Sequence, residues 1–423
     1  MAYRQRVIDS TLDEAMSELA AIAIEGAKGV GKTETASRRA ATVLSLNDPR
    51  ARASLAGNLD VITELDSPVF IDEWQLEPDV WERVRRAVDA DPHGDRRYLL
   101  AGSANPAPGA RVHSGAGRII RLTMRPMALS ERGIQEAAVS LRALHAGGAE
   151  IKGITSLTVG DYADEILRSG FPGIRDLSEP NRDRQLDGYL ARITDADLRD
   201  NDIAVRRPEA LRAWLRAYGA ATASTADYAK ILNAATPGEA DKPARSTADT
   251  YREHLTRLFL LDPLPAWAAA GTPLGRLGHA PKHHLADPAL AARLVGIGKK
   301  GLVVGKGEVA SPSAGTWLGA LFESLAVQSV RVYADVMNAQ VGHLRTKGGE
   351  HEVDIIVETN DQRCVALEAK LSGTIGDSDV KHLHWLQKQL GPRLIDKVVL
   401  NTGPFAYRRP DGIAVIPLAL LGP

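Results

Sequence analysis

The stretch AIAIEGAKGVGKT, residues 21–33, decides the fold of the N-terminal third. Its first residues are a short apolar run with the length and character of a buried strand. Its remainder, Gly26, Ala27, Lys28, Gly29, Val30, Gly31, Lys32 and Thr33, fits the pattern G-x-x-x-x-G-K-[ST]. Glycines let a backbone turn tightly and aim several N–H groups at one anion. A helix opening at Lys32 adds its positive end. Lys32 is then within reach of β- and γ-phosphates, and the Thr33 hydroxyl is a ligand for Mg²⁺. The expected ligand is a nucleoside triphosphate. No guanine-reading N-K-x-D run stands out, so ATP is favoured over GTP.

Working outward, further β-like runs follow at Thr42–Leu46, Val69–Ile71, Tyr98–Ala101 and Ile119–Met124, with a helical segment at Val80–Ala90. Strands alternating with helices predict a parallel α/β sheet. The third run leads into Asp72 and Glu73. Asp72 is expected to hold Mg²⁺ and Glu73 to polarise the attacking water as a general base. The fourth run ends in small polar residues, of which Ser103 or Asn105 is suited to hydrogen-bond a γ-phosphate.

Composition sets limits. The chain has 423 residues, enough for two to four domains. Lys and Arg total 52 against 53 Asp and Glu, so any nucleic-acid contact must use a local basic patch. Cys364 is the single cysteine, which excludes an internal disulfide. There is no apolar leader and no apolar run of membrane-spanning length, so the expected location is the cytoplasm.

Residues 132–200 read as mostly helical, broken at Gly170–Gly173. Three helices follow over Pro208–Leu264, with Arg245, Arg252 and Arg257 off the apolar stripe of the last. These suggest a winged-helix-like unit, used either to read DNA or to pack domains. The C-terminal part reads as a helix at Gly315–Tyr333, three strands at Ala339–Leu344, Glu352–Glu358 and Cys364–Lys370, a helix at Ser378–Leu390 and a strand at Lys397–Leu400. Residues two apart on a strand share a face, so Glu368 and Lys370 project together. A hairpin would bring Asp354 beside them, and Glu323 on the preceding helix offers another carboxylate. Clustered carboxylates of this kind suit Mg²⁺ or Mn²⁺, with Lys370 stabilising charge that develops in phosphodiester attack. The histidines at 279, 283, 284, 382 and 384 lack partners at zinc spacing. Trp74, Trp81 and Trp385 are expected to be packing residues.

The chain resembles the AAA+ class of P-loop ATPases, and more closely those bacterial and archaeal ATPases that carry a C-terminal DUF4143 domain. The resemblance lies in GAKGVGKT at 26–33, FIDEWQ at 70–75, YLLAGSA at 98–104, SGAGRIIRL at 114–122, SGFPG at 169–173 and EVDIIVE…LEAK within 352–370. It implies that Arg118, with Arg111 as second choice, completes a neighbouring copy's site, which requires a homo-oligomer. A second sensor arginine has no clear position; Arg175 is the nearest and is not counted among the site residues. The spacing of Asp354, Glu368 and Lys370 resembles the PD-(D/E)xK nucleases, although Val353 stands where many of those have proline.

The expected architecture is therefore a P-loop ATPase core over 1–131, a helical connector over 132–206, a winged-helix-like unit and linker over 207–312, and a restriction-endonuclease-like α/β domain over 313–423. Two functions fit it. In one, ATP controls a nuclease-like domain acting on DNA or RNA. In the other, ATP drives a regulatory switch through protein–protein contacts, and the C-terminal domain is inert.

Overall fold

A computed structural model describes residues 3–92, 94–103, 117–197, 207–235, 245–267, 280–304 and 308–423. Asn105, Arg111 and His279 lie outside these residues. The chain divides into two compact units, one essentially residues 1–125 and the other most of residues 126–423.

The first unit is a five-stranded sheet. Its strands are β1 (Ala21–Glu25), β2 (Thr42–Ser45), β3 (Val69–Asp72), β4 (Tyr98–Gly102) and β5 (Ile119–Thr123). All pairings are parallel, in the order β2-β3-β4-β1-β5. Every residue of β1, β3 and β4 is buried. That explains their unbroken apolar runs, because helices cover both faces of a parallel sheet. The helix Asp79–Ala90 buries Val80, Trp81, Val84 and Val88, while Glu82, Arg85 and Asp89 pair along another side. Trp74 and Trp81 meet in the core with ring centroids 4.6 Å apart. These two tryptophans are packing residues, as their apolar context implies.

The second unit is built on a seven-stranded mixed sheet. Its main strands are β10 (Gln340–Arg345), β11 (Glu352–Glu358), β12 (Cys364–Ala369) and β13 (Leu394–Asn401). Beyond β13 lie β15 (Ala414–Pro417), β14 (Phe405–Arg408) and β7 (Gly153–Ile154). Two separate two-stranded sheets pair β6 (Val139–Ser140) with β16 (Leu421–Gly422) and β8 (Val303–Val304) with β9 (Glu308–Val309). The helix Pro312–Asp335 is capped by Ser311 and buries most of its second half. The helix Asp377–Leu390 packs Val380, Leu383 and Leu386 against Leu344, Val353, Ile356 and Ala366.

The middle region holds helices Pro208–Ala220, Tyr228–Ala235 and Arg245–Arg257. Antiparallel bridges Leu261↔Leu285 and Leu264↔Lys282 follow. The stretch expected to be mostly helical after residue 132 also contributes β6 and β7, which are too short to carry a periodic signal. Among the described residues no helix is long and apolar enough to cross a membrane.

Candidate nucleotide site and acidic cluster

The phosphate loop leaves the carboxyl end of β1. Gly26 has φ +150°, and a Cβ there would meet the Met124 carbonyl oxygen at 2.1 Å, so only glycine fits. Gly29 and Gly31 also have positive φ, of +82° and +107°. A six-residue helix, Lys32–Ser37, continues from the loop. Lys32 is buried, and its ammonium donates to the carbonyl oxygens of Gly26 at 2.7 Å and Ala27 at 3.0 Å. Burial lowers its pKa to about 8, against the opposing pull of Glu73 and Asp72.

The register of β3 places Asp72 beside the loop. The Thr33 hydroxyl donates to both Asp72 oxygens, at 3.1 and 3.0 Å. Burial pushes the Asp72 carboxyl up, while the Thr33 hydrogen bond opposes it. A hydroxyl and a carboxylate face to face are the hard oxygen donors that Mg²⁺ takes, so Thr33 and Asp72 fit the ion expected there.

Glu73 leaves the strand in the left-handed region, with φ 54°. That conformation is rare for a residue with a side chain. Its Oε2 accepts from the Ser103 hydroxyl at 2.9 Å and from the Gln75 amide. Ser103, expected from the sequence to face a γ-phosphate, is therefore engaged with Glu73. The physical reason is adjacency: β4 lies between β3 and β1, so the ends of β3 and β4 meet.

Arg118 lies elsewhere. It directly precedes β5, whose Ile119 pairs with Ala21 at the start of β1. The loop follows the other end of β1, five residues and roughly 15 Å away at about 3.3 Å per residue. Arg118 instead pairs with Asp89 at 2.7 Å. It does not serve this chain's own loop.

Arg6 was not legible in the sequence. It is 5 % exposed, and it donates to the carbonyl oxygens of Val30 and Arg125, each at 2.8 Å. It thereby ties the phosphate loop to the segment after β5. A lone arginine about twenty residues before the loop carries no motif.

In the second unit, the β11–β12 hairpin pairs Ile355 with Leu367. Asp354 and Glu368 follow as neighbours, and Asp354 Oδ2 accepts the Ala369 amide at 3.0 Å. Lys370 meets Glu368 at 3.1 Å. Asp354, Glu368 and Lys370 thus converge as their spacing implies.

The sequence did not reveal Lys282. Its ammonium reaches Glu323 at 2.8 Å, Asp354 at 2.8 Å and Glu352 at 2.9 Å, and its side chain is 1 % exposed. A cation that belongs to the chain therefore sits between Glu323 and Asp354, where the sequence suggested a metal ion. The expected ligand set Glu323, Asp354 and Glu368 is corrected on this point: two carboxylates hold Lys282 and the third holds Lys370. Among the described residues no group of three or more His, Cys, Asp or Glu is disposed to hold a metal. Burial alone would lower the Lys282 pKa, but Asp354, Glu323 and Glu352 outweigh it and hold it well above the usual value. Burial, reinforced by Asp354, pushes Glu323 up to about 8. Burial and the same neighbour push Glu368 well above the carboxylate range. Burial would raise Asp354 too, but Lys282 and Lys370 reverse it and hold that carboxyl down.

A family described as "AAA domain" matches residues 19–132, and one described as "Domain of unknown function (DUF4143)" matches residues 318–421. The chain carries an AAA domain and a C-terminal DUF4143 domain. A third match, "Domain of unknown function (DUF8612)", covers residues 159–301. The chain is also similar to the uncharacterized proteins Rv2008c of Mycobacterium tuberculosis and Mb2031c of Mycobacterium bovis. Each is 26% identical over 339 residues, which cover 77% of this chain and 66% of the relative. The AAA match makes the first unit a nucleotide-binding domain of ATPase type.

The histidines around the DUF4143 cluster have protein partners. His343 Nε2 donates to the Ala280 carbonyl at 3.0 Å, and His283 Nε2 to that of Ala226 at 2.7 Å. His284 Nδ1 lies 3.2 Å from the Ser324 hydroxyl. Burial, then the Lys282 charge, pushes His284 down to about 3 and His343 down to about 4. Both stay neutral in the fold at pH values where an unfolded chain, near 6.5, takes up protons. The stability these two histidines contribute is therefore complete above about pH 6.5 and falls as the pH drops toward 4. Each pH unit in that window costs about 1.4 kcal/mol per histidine. Glu323 and Glu368, raised above the usual carboxylate range, gain stability over the same window, so the histidine contribution is read by difference: thermal melts from pH 7 to about 4.5 should lose more stability with acid in the unmodified chain than in a His284→Gln protein. Parallel pH profiles for the two proteins would contradict a neutral buried imidazole at His284.

Proposed function

We propose that the chain hydrolyses ATP at the phosphate loop and uses the cycle to switch protein–protein contacts, while its DUF4143 domain does not cleave nucleic acid. One observation carries the ATPase reading: Lys32, Thr33, Asp72 and Glu73 converge at the carboxyl ends of β1 and β3. In open α/β sheets ligands bind at that edge. Gly26–Thr33 cradle the phosphates, and Lys32 exchanges its loop carbonyls for phosphate oxygens. Thr33 and Asp72 would hold Mg²⁺, which would supply positive charge to the bound phosphates. Glu73 takes the proton of the attacking water, and Ser103 with Gln75 fixes the carboxylate that does so. Arg118 has its role, if it acts on a γ-phosphate, across a homo-oligomer contact, because it precedes the far end of β5.

The helices between residues 208 and 257 and the bridges after them support a winged-helix-like unit used for packing. The nuclease reading has its Asp354, Glu368 and Lys370 in one place. Against it stands Lys282, bonded to two of the proposed ligands or their neighbours.

The purified chain with Mg²⁺ is expected to release phosphate from ATP. Lys32→Ala should weaken nucleotide binding roughly ten- to hundredfold, the loss of charge-assisted hydrogen bonds worth about 1.5–3 kcal/mol. Titration with a fluorescent ATP analogue reads this directly. Equal binding and turnover in both proteins would overturn the ATPase reading. DNA and RNA, single- and double-stranded, should survive incubation with Mg²⁺ or Mn²⁺, with or without ATP. Cleavage that Asp354→Ala abolishes would replace the switch by a nuclease.

A further inference from the structure

We infer that Lys282 is a resident cation of the DUF4143 acidic cluster, occupying the position a divalent metal ion would otherwise take. This deepens the reading of that domain as non-cleaving and is independent of the ATPase reading. A lysine ammonium has three N–H donors and no acceptor. Here Glu323, Asp354 and Glu352 receive it at 2.8, 2.8 and 2.9 Å, so every donor has a carboxylate. The group is complete as a cation site.

The backbone holds the lysine there. Lys282 N donates to Leu264 O at 3.0 Å, and Leu264 N donates to Lys282 O at 2.9 Å. The strand-like segment of Leu264 is tied in turn to β10, where Trp267 N meets His343 O at 2.7 Å and His343 N meets Pro265 O at 3.0 Å. His343 also grips Ala280 two residues before Lys282, and His283 beside it pairs with Ser224 O at 2.9 Å. The ammonium is thus delivered by a fixed segment and not by a swinging surface side chain. Its position between the helix carboxylate Glu323 and the hairpin carboxylate Asp354 joins three separated parts of the chain through one charge.

The alternatives differ in charge and size. A divalent ion binds oxygens at about 2.0–2.6 Å, well inside the ammonium distances observed. It cannot share the position with a fixed ammonium, and two like cations there repel. Removing the ammonium leaves Glu323 and Asp354 buried together without the cation both contact. Uncompensated buried charge is strongly destabilising, so such a pair should recruit an ion.

Mn²⁺ binding to the nucleotide-free full chain tests this by electron paramagnetic resonance. Every protein carries Asp72→Asn, which silences the phosphate-loop ligands. The protein with Lys282 intact should bind no Mn²⁺ that depends on Asp354. Lys282→Met should gain one bound Mn²⁺ per chain and lose it again when Asp354→Asn is added. If Lys282→Met does not fold alone, Mn²⁺ should restore its melting transition. Two results overturn the inference. One is Mn²⁺ bound to the Lys282-intact protein and released by Asp354→Asn. The other is a Lys282→Met protein that neither binds Mn²⁺ nor is rescued by it. Nucleotide hydrolysis enters none of these measurements, so a failed ATPase reading leaves this result intact.

Discussion

A Glu73→Gln chain should bind ATP about as tightly as the unmodified protein and hydrolyse it roughly 10²–10⁴-fold more slowly, the usual contribution of a positioned general base. The amide keeps the size and most of the hydrogen bonding of the carboxylate but cannot accept the water proton. Geometry makes the assignment specific. Glu73 emerges from β3 in the left-handed region, directly after Asp72, and its Oε2 is held by Ser103 at 2.9 Å. A backbone strained in this way needs support from its surroundings. Ser103→Ala should consequently slow hydrolysis less than Glu73→Gln does, because Gln75 still holds the same oxygen. Its effect should fall on turnover and leave nucleotide affinity in place. The pair of measurements separates positioning from binding: Lys32→Ala weakens the complex, whereas Glu73→Gln preserves it. Normal turnover by Glu73→Gln would remove Glu73 from the reaction.

The N-terminal sheet was legible because its strands are short, apolar and separated by motif residues. All five observed strands fall on the runs the sequence displays, within a residue or two at each end. The loop, Asp72 and Glu73 were legible for the same reason, since each is anchored to the end of such a run. Contacts made between distant segments were not. Ser103 turned toward Glu73 because β4 inserts between β1 and β3, an order that no local pattern encodes. Lys282 lies in a Gly- and Pro-rich stretch with weak periodicity, and its partners Glu323, Glu352 and Asp354 come from the long helix and β11. Asp354 was legible by strand spacing and Glu323 by its place on the preceding helix, but the cation between them lies 72 and 41 residues before them. Strand β14 is mostly exposed and carries no apolar run, and β15 has no motif residue at its end to anchor it, so neither was read from the sequence.

The largest loss of stability is expected from Glu165→Ala, at about 3–5 kcal/mol, the cost of stranding a buried charge by deleting its partner. Within the second unit Glu165 serves two buried arginines, and the exposed Arg168 lies 3.7 Å from its carboxylate. Arg132 has a fully buried side chain, bonds the Glu165 carbonyl at 2.7 Å and faces its carboxylate at 3.4 Å. Arg175, 3 % exposed at the side chain, meets the carboxylate at 3.1 Å and the Ser169 carbonyl at 2.9 Å. This spends the arginine considered for a second sensor on holding its own fold. Arg132 also bonds Met127 O at 3.0 Å and Gln328 at 3.3 Å, so the network joins the helix Val159–Arg168 to the helix Pro312–Asp335. Removing the carboxylate takes from both buried guanidinium groups the carboxylate they share, and Asp176 stands farther from Arg175, at 4.0 Å. Arg175→Met alone should be milder, because Glu165 keeps Arg132. If charge imbalance is the cause, Arg175→Met added to Glu165→Ala should recover part of the loss, a non-additivity that double-mutant cycles measure. Urea unfolding monitored by circular dichroism reads all three proteins. Equal midpoints for Glu165→Ala and the unmodified chain would mean that water or a shifted backbone compensates the two cations without it.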